Sequence, residues 1–159
     1  MSDTISDATK NESLKTIKQN YMNINPYLNF AGNTEEVFNF YKSVFGGEFA
    51  MLQRFGDTPD CDKLPPGVSN MIMHVSLPIG NGNILMGTDA PEQMGFNLVT
   101  GTNFYLCLGP DSKEHADKLF KDLSAGGKVE MEMADMFWGA YYGSLTDKFG
   151  VKWMINYQK

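Results

Sequence analysis

The chain repeats itself, and the repeat constrains the fold more than any other feature. A short apolar run starting at Asn25 (Asn-Pro-Tyr-Leu-Asn-Phe) recurs at Asn103 (Asn-Phe-Tyr-Leu-Cys-Leu), 78 residues later. At the same offset, Asn33-Thr-Glu-Glu and Asp111-Ser-Lys-Glu each place an acceptor side chain three residues before a Glu. That is the capping-box pattern of a helix start. Apolar stripes at i, i+3 and i+7 follow: Phe38, Tyr41 and Phe45, then Ala116, Leu119 and Leu123. Each predicted helix stops at a glycine pair, Gly46 and Gly47 or Gly126 and Gly127. These pairs lie 80 apart, which predicts a second helix or exit turn two residues longer. An alternating segment and a hairpin complete each copy. The first hairpin is predicted over residues 70–79 and 83–88, about a Gly80-Asn81-Gly82 turn. The second is predicted over 140–146 and 151–157, about a turn at 147–150.

Each copy therefore reads β-α-β-β-β. One such unit leaves a sheet face bare, so two copies sharing a core is the physical expectation. The predicted fold class is α+β: two βαβββ modules forming a curved eight-stranded mixed sheet, with the helices on the convex face. Residues 1–22 read as a polar N-terminal arm and 23–159 as one domain, with module one at about 24–92 and module two at about 101–158. In the arm, Leu14, Ile17 and Tyr21 sit at helical spacing. They read as a solvated tail or as weak anchors on a partner subunit.

Composition removes several functions. A chain of 159 residues can bury a sizeable core without disulfides or structural metal. Its net charge of −6 repels phosphate backbones, so no nucleic-acid partner is expected. No run of eighteen apolar residues exists to span a membrane, and the first twenty residues lack the apolar core of a secretory signal. The two cysteines, Cys61 and Cys107, and the two histidines, His74 and His115, lack zinc-ligand spacing. A cytoplasmic protein with reduced thiols is the expectation.

Five stretches carry a resemblance to a known family: Pro26-Tyr-Leu-Asn-Phe, Phe40-Tyr-Lys-Ser-Val-Phe-Gly-Gly, Leu85-Met-Gly-Thr-Asp-Ala-Pro, Phe137-Trp-Gly and Asp147-Lys-Phe-Gly-Val-Lys-Trp-Met-Ile-Asn. Over residues 24–158 the chain resembles the PhnB-like family of the vicinal oxygen chelate superfamily, whose members include glyoxalase I, extradiol dioxygenases and bleomycin- or fosfomycin-resistance proteins. The resemblance implies a glyoxalase-like fold, a cavity within the curved sheet and a homodimer. It also locates the superfamily's divalent-metal ligands, His or Gln on the first strand and Glu on the last strand of each half. Those places hold Asn25, Met86, Asn103 and Met154 here. Two amides and two thioethers suit neither hard nor borderline divalent ions, so no metal and no cofactor are expected. Glyoxalase and dioxygenase activities are not expected either. Similar proteins are often labelled 3-demethylubiquinone methyltransferases. That activity is also not expected, because Gly80-Asn81-Gly82 falls in a hairpin turn with no helix after it.

Strand alternation sorts the remaining candidates. The helix-covered face is predicted to carry Leu28, Phe30, Phe49, Met51, Met73, Val75, Leu77, Leu85, Phe104, Leu106, Leu108, Val129, Met131, Trp153 and Ile155, among others. The opposite face is predicted to hold the site. Its ligand-binding candidates are Tyr27, Asn29, Arg54, His74, Ser76, Met86, Tyr105, Met154 and Asn156, with Trp138 as a stacking or roofing group. His74 is the leading general base, with Tyr142 or Glu132 as its partner. Duller readings stand beside these: a structural histidine, a surface salt bridge for Arg54, a strand edge facing water for Glu130 and Glu132, and an inert Cys107. The expected function is binding of a small organic molecule in a concave sheet. The rivals are metal-independent acid–base catalysis through His74 and a non-catalytic dimeric interaction protein.

Overall fold

A computed structural model describes residues 22–158, so nearly all of the predicted arm lies outside the described residues. Module one runs β1 (Tyr27–Phe30), α1 (Thr34–Phe45), β2 (Met51–Arg54), β3 (Ile72–Gly80) and β4 (Asn83–Asp89). Module two runs β5 (Leu106–Leu108), α2 (Lys113–Ser124), β6 (Lys128–Asp135), β7 (Ala140–Thr146) and β8 (Lys152–Gln158). The eight strands form two four-stranded sheets of matching order, β1-β4-β3-β2 and β5-β8-β7-β6. In each, the first strand is parallel to the last and the other pairs are antiparallel. This is the α+β, glyoxalase-like double βαβββ arrangement.

Asn81 and Gly82 both have positive φ, which matches the two-residue turn closing Gly80 onto Asn83. A strand, not a helix, follows that turn.

The internal repeat holds, with one correction. Both helices have 12 residues, so neither the second helix nor its exit turn absorbs two extra residues. The slip lies in the first strands. Leu28 pairs with Gly87, and Gly87 with Val75; Ile155 pairs with Gly143 and with Leu108. Val75 and Gly143 lie 68 apart, as do Gly87 and Ile155. Leu108 is therefore the counterpart of Leu28, at an offset of 80 that also relates the glycine pairs. The look-alike runs at Asn25 and Asn103 are displaced by two residues. Such a slip keeps every side chain on its own face, so alternation cannot reveal it.

The helix starts differ from the predicted capping boxes as well. Asn33 makes no side-chain cap. Instead Asp89, at the end of β4, accepts the Thr34 amide at 3.0 Å and the Thr34 hydroxyl at 2.6 Å through Oδ1. Its Oδ2 accepts the Ile72 amide at 2.7 Å. A buried carboxylate thus satisfies orphan donors at the start of α1 from across the sheet. In α2 the cap is Ser112, whose hydroxyl accepts the His115 amide at 3.1 Å. Asp111 meets the His115 ring at 2.8 Å instead.

Val37, Phe38, Tyr41 and Val44 of α1, with Ala116, Leu119, Phe120 and Leu123 of α2, bury against Leu77, Leu85, Trp153 and Ile155. The two helices thus share one core. Tyr41 stacks edge-on against Trp153 at 5.4 Å, and Phe40 against Phe149 at 5.6 Å. Asp147 completes the junction. Its Oδ2 accepts the Tyr41 hydroxyl (2.7 Å) and the Trp153 indole N–H (2.9 Å), while Oδ1 accepts the amides of Phe149 and Val151. One buried carboxylate both folds the β7–β8 turn and fastens it to α1 of the other half.

Several residues predicted for the core lie elsewhere. Met51 pairs with Ser76 and is half exposed, so it belongs to the open face, while Leu52 turns to the core. A bulge at Gln53 and Arg54 shifts the alternation opposite β3, so Ile72 is buried and Met73 only partly. Two irregularities in β6 act the same way: Met131 pairs with Ser144 on the open face, and Met133 packs on the core. Val129 is exposed on this edge strand. Phe104 lies outside β5 and is also exposed. Among the described residues, no helix is long and apolar enough to cross a membrane.

Candidate functional site

The helices cover one face of each sheet and leave the other open. In module one, alternation and register build two rows across that open face. Tyr27, Met86, Ser76 and Met51 form one row through the pairings of β1, β4, β3 and β2. Asn29, Thr88, His74 and Gln53 form the next. Between the rows, the Tyr27 hydroxyl and the His74 Nδ1 are 2.9 Å apart, with the rings tilted at 5.6 Å. Partial burial raises the Tyr27 phenol above its ordinary range. This pair occupies one imidazole nitrogen and leaves Nε2 for another partner. Thr88 turns its hydroxyl to the backbone carbonyl of Ile72. His74 and Tyr142 are repeat counterparts, 68 apart, and each is engaged within its own half. His74 meets Tyr27, while Tyr142 pairs with Asn156 and lies 6.4 Å from the Trp138 ring.

Module two presents a different surface. Cys107, Met154, Ser144 and Met131 make its apolar row. Beside it, Glu130 accepts hydrogen bonds from the Tyr105 hydroxyl (2.5 Å), the Thr146 hydroxyl (2.7 Å) and the Lys152 ammonium. Lys152 also sits 4.7 Å above the Tyr105 ring. Lys152 first, then Tyr105 and Thr146, hold the Glu130 carboxyl down to about 2. Glu130 in turn raises Lys152. The cluster is neutral as a pair and its acceptor oxygens are used. Sequence reading singled out Tyr105 and Glu130 but missed Lys152 and Thr146. The signal was present, since both share the alternation phase of Met154 and Ser144.

The remaining candidates separate. Arg54 donates to Glu35 of α1 at 2.7 Å and to the Asn70 carbonyl at 2.8 Å, so its guanidinium ties β2 to a helix. Trp138 is half exposed at the β6–β7 tip, edge-on to a fully exposed Phe137 at 4.8 Å. Glu132 is exposed and has no side-chain partner among the described residues. Burial raises the Cys107 thiol above its ordinary range.

Two clefts flank the junction of the halves; they form between modules, so no single stretch of the chain encodes them. The first, about 430 Å³, lies between β5 and the tip of the β3–β4 hairpin, with Tyr105, Cys107 and Ile79 in its walls. The second, about 390 Å³, lies between β1 and the β7–β8 turn, with Tyr27, Asn29 and Lys152 in its walls. Each joins the first strand of one module to the hairpin tip of the other, so the clefts are counterparts under the internal repeat.

The superfamily's metal positions do not fit a divalent ion here. The Asn25 side-chain Oδ1 accepts the Ile84 amide, Asn103 is exposed outside the strand, and Met86 and Met154 offer thioethers. The register replaces Asn103 by Tyr105 as the counterpart of Asn25, which is no better a donor. Among the described residues, no group of three or more His, Cys, Asp or Glu side chains could hold a metal ion.

Comparison with known proteins agrees with this architecture. The sequence model of the family described as 3-demethylubiquinone-9 3-methyltransferase matches residues 22–156. Protein YjdN of Escherichia coli is 32% identical over 146 residues, covering 87% of this chain and 97% of that protein. The crystal structure of PA1353 from Pseudomonas aeruginosa is 35% identical, with a TM-score of 0.76 over 87% of this chain and 98% of that one. A Bacillus cereus PhnB protein, described as a putative 3-demethylubiquinone-9 3-methyltransferase, is 26% identical with a TM-score of 0.68, covering 86% and 99%. A glyoxalase/bleomycin resistance protein/dioxygenase family enzyme from Burkholderia phytofirmans shares the fold at 20% identity, with a TM-score of 0.55 over 84% and 97% of the two chains. The chain belongs to the PhnB-like, 3-demethylubiquinone-9 3-methyltransferase-like family, on a glyoxalase-like fold.

Proposed function

We propose that this PhnB-like protein binds a small organic molecule on the open face of module one, with the His74–Tyr27 pair as its polar anchor and without a glyoxalase-type metal. One observation carries the reading. Half-exposed Tyr27 and Met51 and partly buried Met86 surround a hydrogen-bonded imidazole on a sheet face that no helix covers. Apolar walls with a few convergent polar groups are what a ligand site requires. The face carries no Asp, Glu, Lys or Arg in its two rows, which favours a neutral, partly aromatic ligand with a hydrogen-bonding group. Such a ligand stabilises the folded protein by mass action. A thermal-shift panel of small heteroaromatic and phenolic compounds should contain hits whose shifts disappear in His74→Ala and shrink in Tyr27→Phe. Hits that survive both substitutions would place the ligand elsewhere.

Two further parts of the reading rest on the same surface. The exposed apolar groups Met131, Phe137 and Trp138 suit an isologous contact between two copies, which light scattering would report as a homodimer. The Tyr27–His74 hydrogen bond supports a second reading, metal-independent acid–base chemistry on the bound molecule. Once a substrate is in hand, unchanged turnover in His74→Ala would sink that reading and leave binding intact.

A further inference from the structure

The two clefts at the junction are counterparts, yet they are furnished differently. Along the second, the chain that leads into β5 forms a wall: residues 98–101 and Phe104 line it. The repeat offset of 80 maps those positions onto residues 18–21 and Ile24. Ile24 and Pro26 line the first cleft, and they are where the N-terminal arm enters the described structure. The arm thus ends at the mouth of the first cleft, in the position from which the β5 leader lines the second. The first cleft's remaining walls are mixed: Val44, Phe45, Ile79 and Leu108 are apolar, and Asn81, Asn83 and His115 stand beside them. Ile24 itself is 88% exposed, and Met22 beside it 81% exposed, so among the described residues this end of the cleft has apolar groups without cover. The family match begins at residue 22, so the arm is an addition to the matched domain.

We propose that the arm of the same chain is the occupant of the first cleft, with Ile17 and Tyr21 seated in it and Leu14 against its rim. Tyr21 lies three residues from Ile24 and Ile17 seven, a span of roughly 10 Å as a helix or 23 Å extended, so reach is not limiting. The arm would then do for module two's first strand what residues 98–101 do for module one's.

Cys107 lines the first cleft and supplies the test. In a Cys61→Ser background it is the sole native thiol. Adding Ile17→Cys and treating with oxidised glutathione should give an intrachain disulfide, the two thiols losing two protons and two electrons to the oxidant. The product should run as a faster monomer on a non-reducing gel. A disulfide-linked dimer would assign the cleft to the arm of a second copy and overturn docking within the chain. Glutathione adducts alone would overturn docking altogether. An independent readout uses the native arm. In Cys61→Ser, N-ethylmaleimide should label Cys107 roughly tenfold more slowly than in the same chain carrying Leu14→Asp and Ile17→Asp. Equal rates overturn the proposal.

Discussion

The two open faces descend from one repeated plan and carry opposite chemistry. In module two, Glu130 and Lys152 meet on the open face. Their repeat counterparts in module one are Ala50 and Ile84. Module two thus closes its face with an ion pair whose oxygens are all engaged. Module one leaves an imidazole–phenol pair with one ring nitrogen unspent. A duplicated scaffold lets one copy be fixed by internal bonds while the other keeps groups for a ligand. That division explains why the same sheet geometry does not imply two equivalent sites.

The buried carboxylates test the comparison most strongly. Asp147 serves four donors, two of them from Tyr41 and Trp153, and joins the halves. Asp89 serves three donors, all within module one. A buried donor stripped of its acceptor costs about 1–3 kcal/mol. Asp147→Ala should therefore destabilise the protein by about 4 kcal/mol or more, and Asp89→Ala by about 3 kcal/mol, in urea unfolding. The Asp147 change should also split the transition, with α2 and module two melting apart from module one. A single transition in both variants, with equal cost, would show that Asp147 is not the junction.

The next test sits under the helices. Each module places a glycine beneath an aromatic ring of its helix, Gly87 under Phe38 and Gly143 under Phe120. They are not repeat counterparts, since Gly87 corresponds to Ile155 and Gly143 to Val75. A Cβ at Gly87 would lie 2.5 Å from the Phe38 ring and 3.1 Å from the Leu28 carbonyl oxygen. A ring packed in the core and a strand backbone cannot both yield, so Gly87→Ala should cost about 2–3 kcal/mol. At Gly143 the nearest atom is the Met133 sulfur at 2.6 Å. That thioether is the flexible end of a partly buried side chain and can shift, and the Phe120 ring at 3.0 Å and the Met131 carbonyl oxygen at 3.2 Å need give only a few tenths of an ångström, so Gly143→Ala should cost less, about 1–2 kcal/mol. Thermal melts of the two variants would check the order, and its reversal would mean that β6 is the more rigid edge.

The sequence revealed the double βαβββ plan because helical and strand periods differ and glycines mark both helix ends. It also carried Tyr27, His74, Ser76 and Met86 to one face, since alternation along unbroken strands is reliable. What it missed follows from particular local events. The irregularity between Val129 and Met131 moved Met131 to the open face, and β2 begins only at Met51, in register with Ser76, so the alternation carried on from Phe49 does not hold there. The two-residue slip of β5 was silent because it conserves faces. The α1 cap came from Asp89, 55 residues away, which no local pattern encodes. His74 found Tyr27 rather than Tyr142 because β1 lies beside β4 and the phenol reaches across it. The clefts between modules were invisible for the same reason: their walls are contiguous only in the assembled fold.

The smallest expected effect concerns the closed face itself. The Glu130 carboxyl is held at about 2 by Lys152, Tyr105 and Thr146, against an unfolded value of roughly 4.3. The folded state therefore binds fewer protons through this range. Its contribution to stability is complete above about pH 5 and is lost as pH falls through about 2. The pair sits at the surface, so the effect is modest and screened by salt. Glu130→Gln should be less stable than the native protein at neutral pH, and the gap should close on approach to pH 2. Lys152→Met removes the largest cause of the shift and should move the acid limb of the native stability curve to higher pH. If the gap between native and Glu130→Gln stays constant across that range, module two's face is not held by the ion pair, and its contrast with module one lies in packing alone.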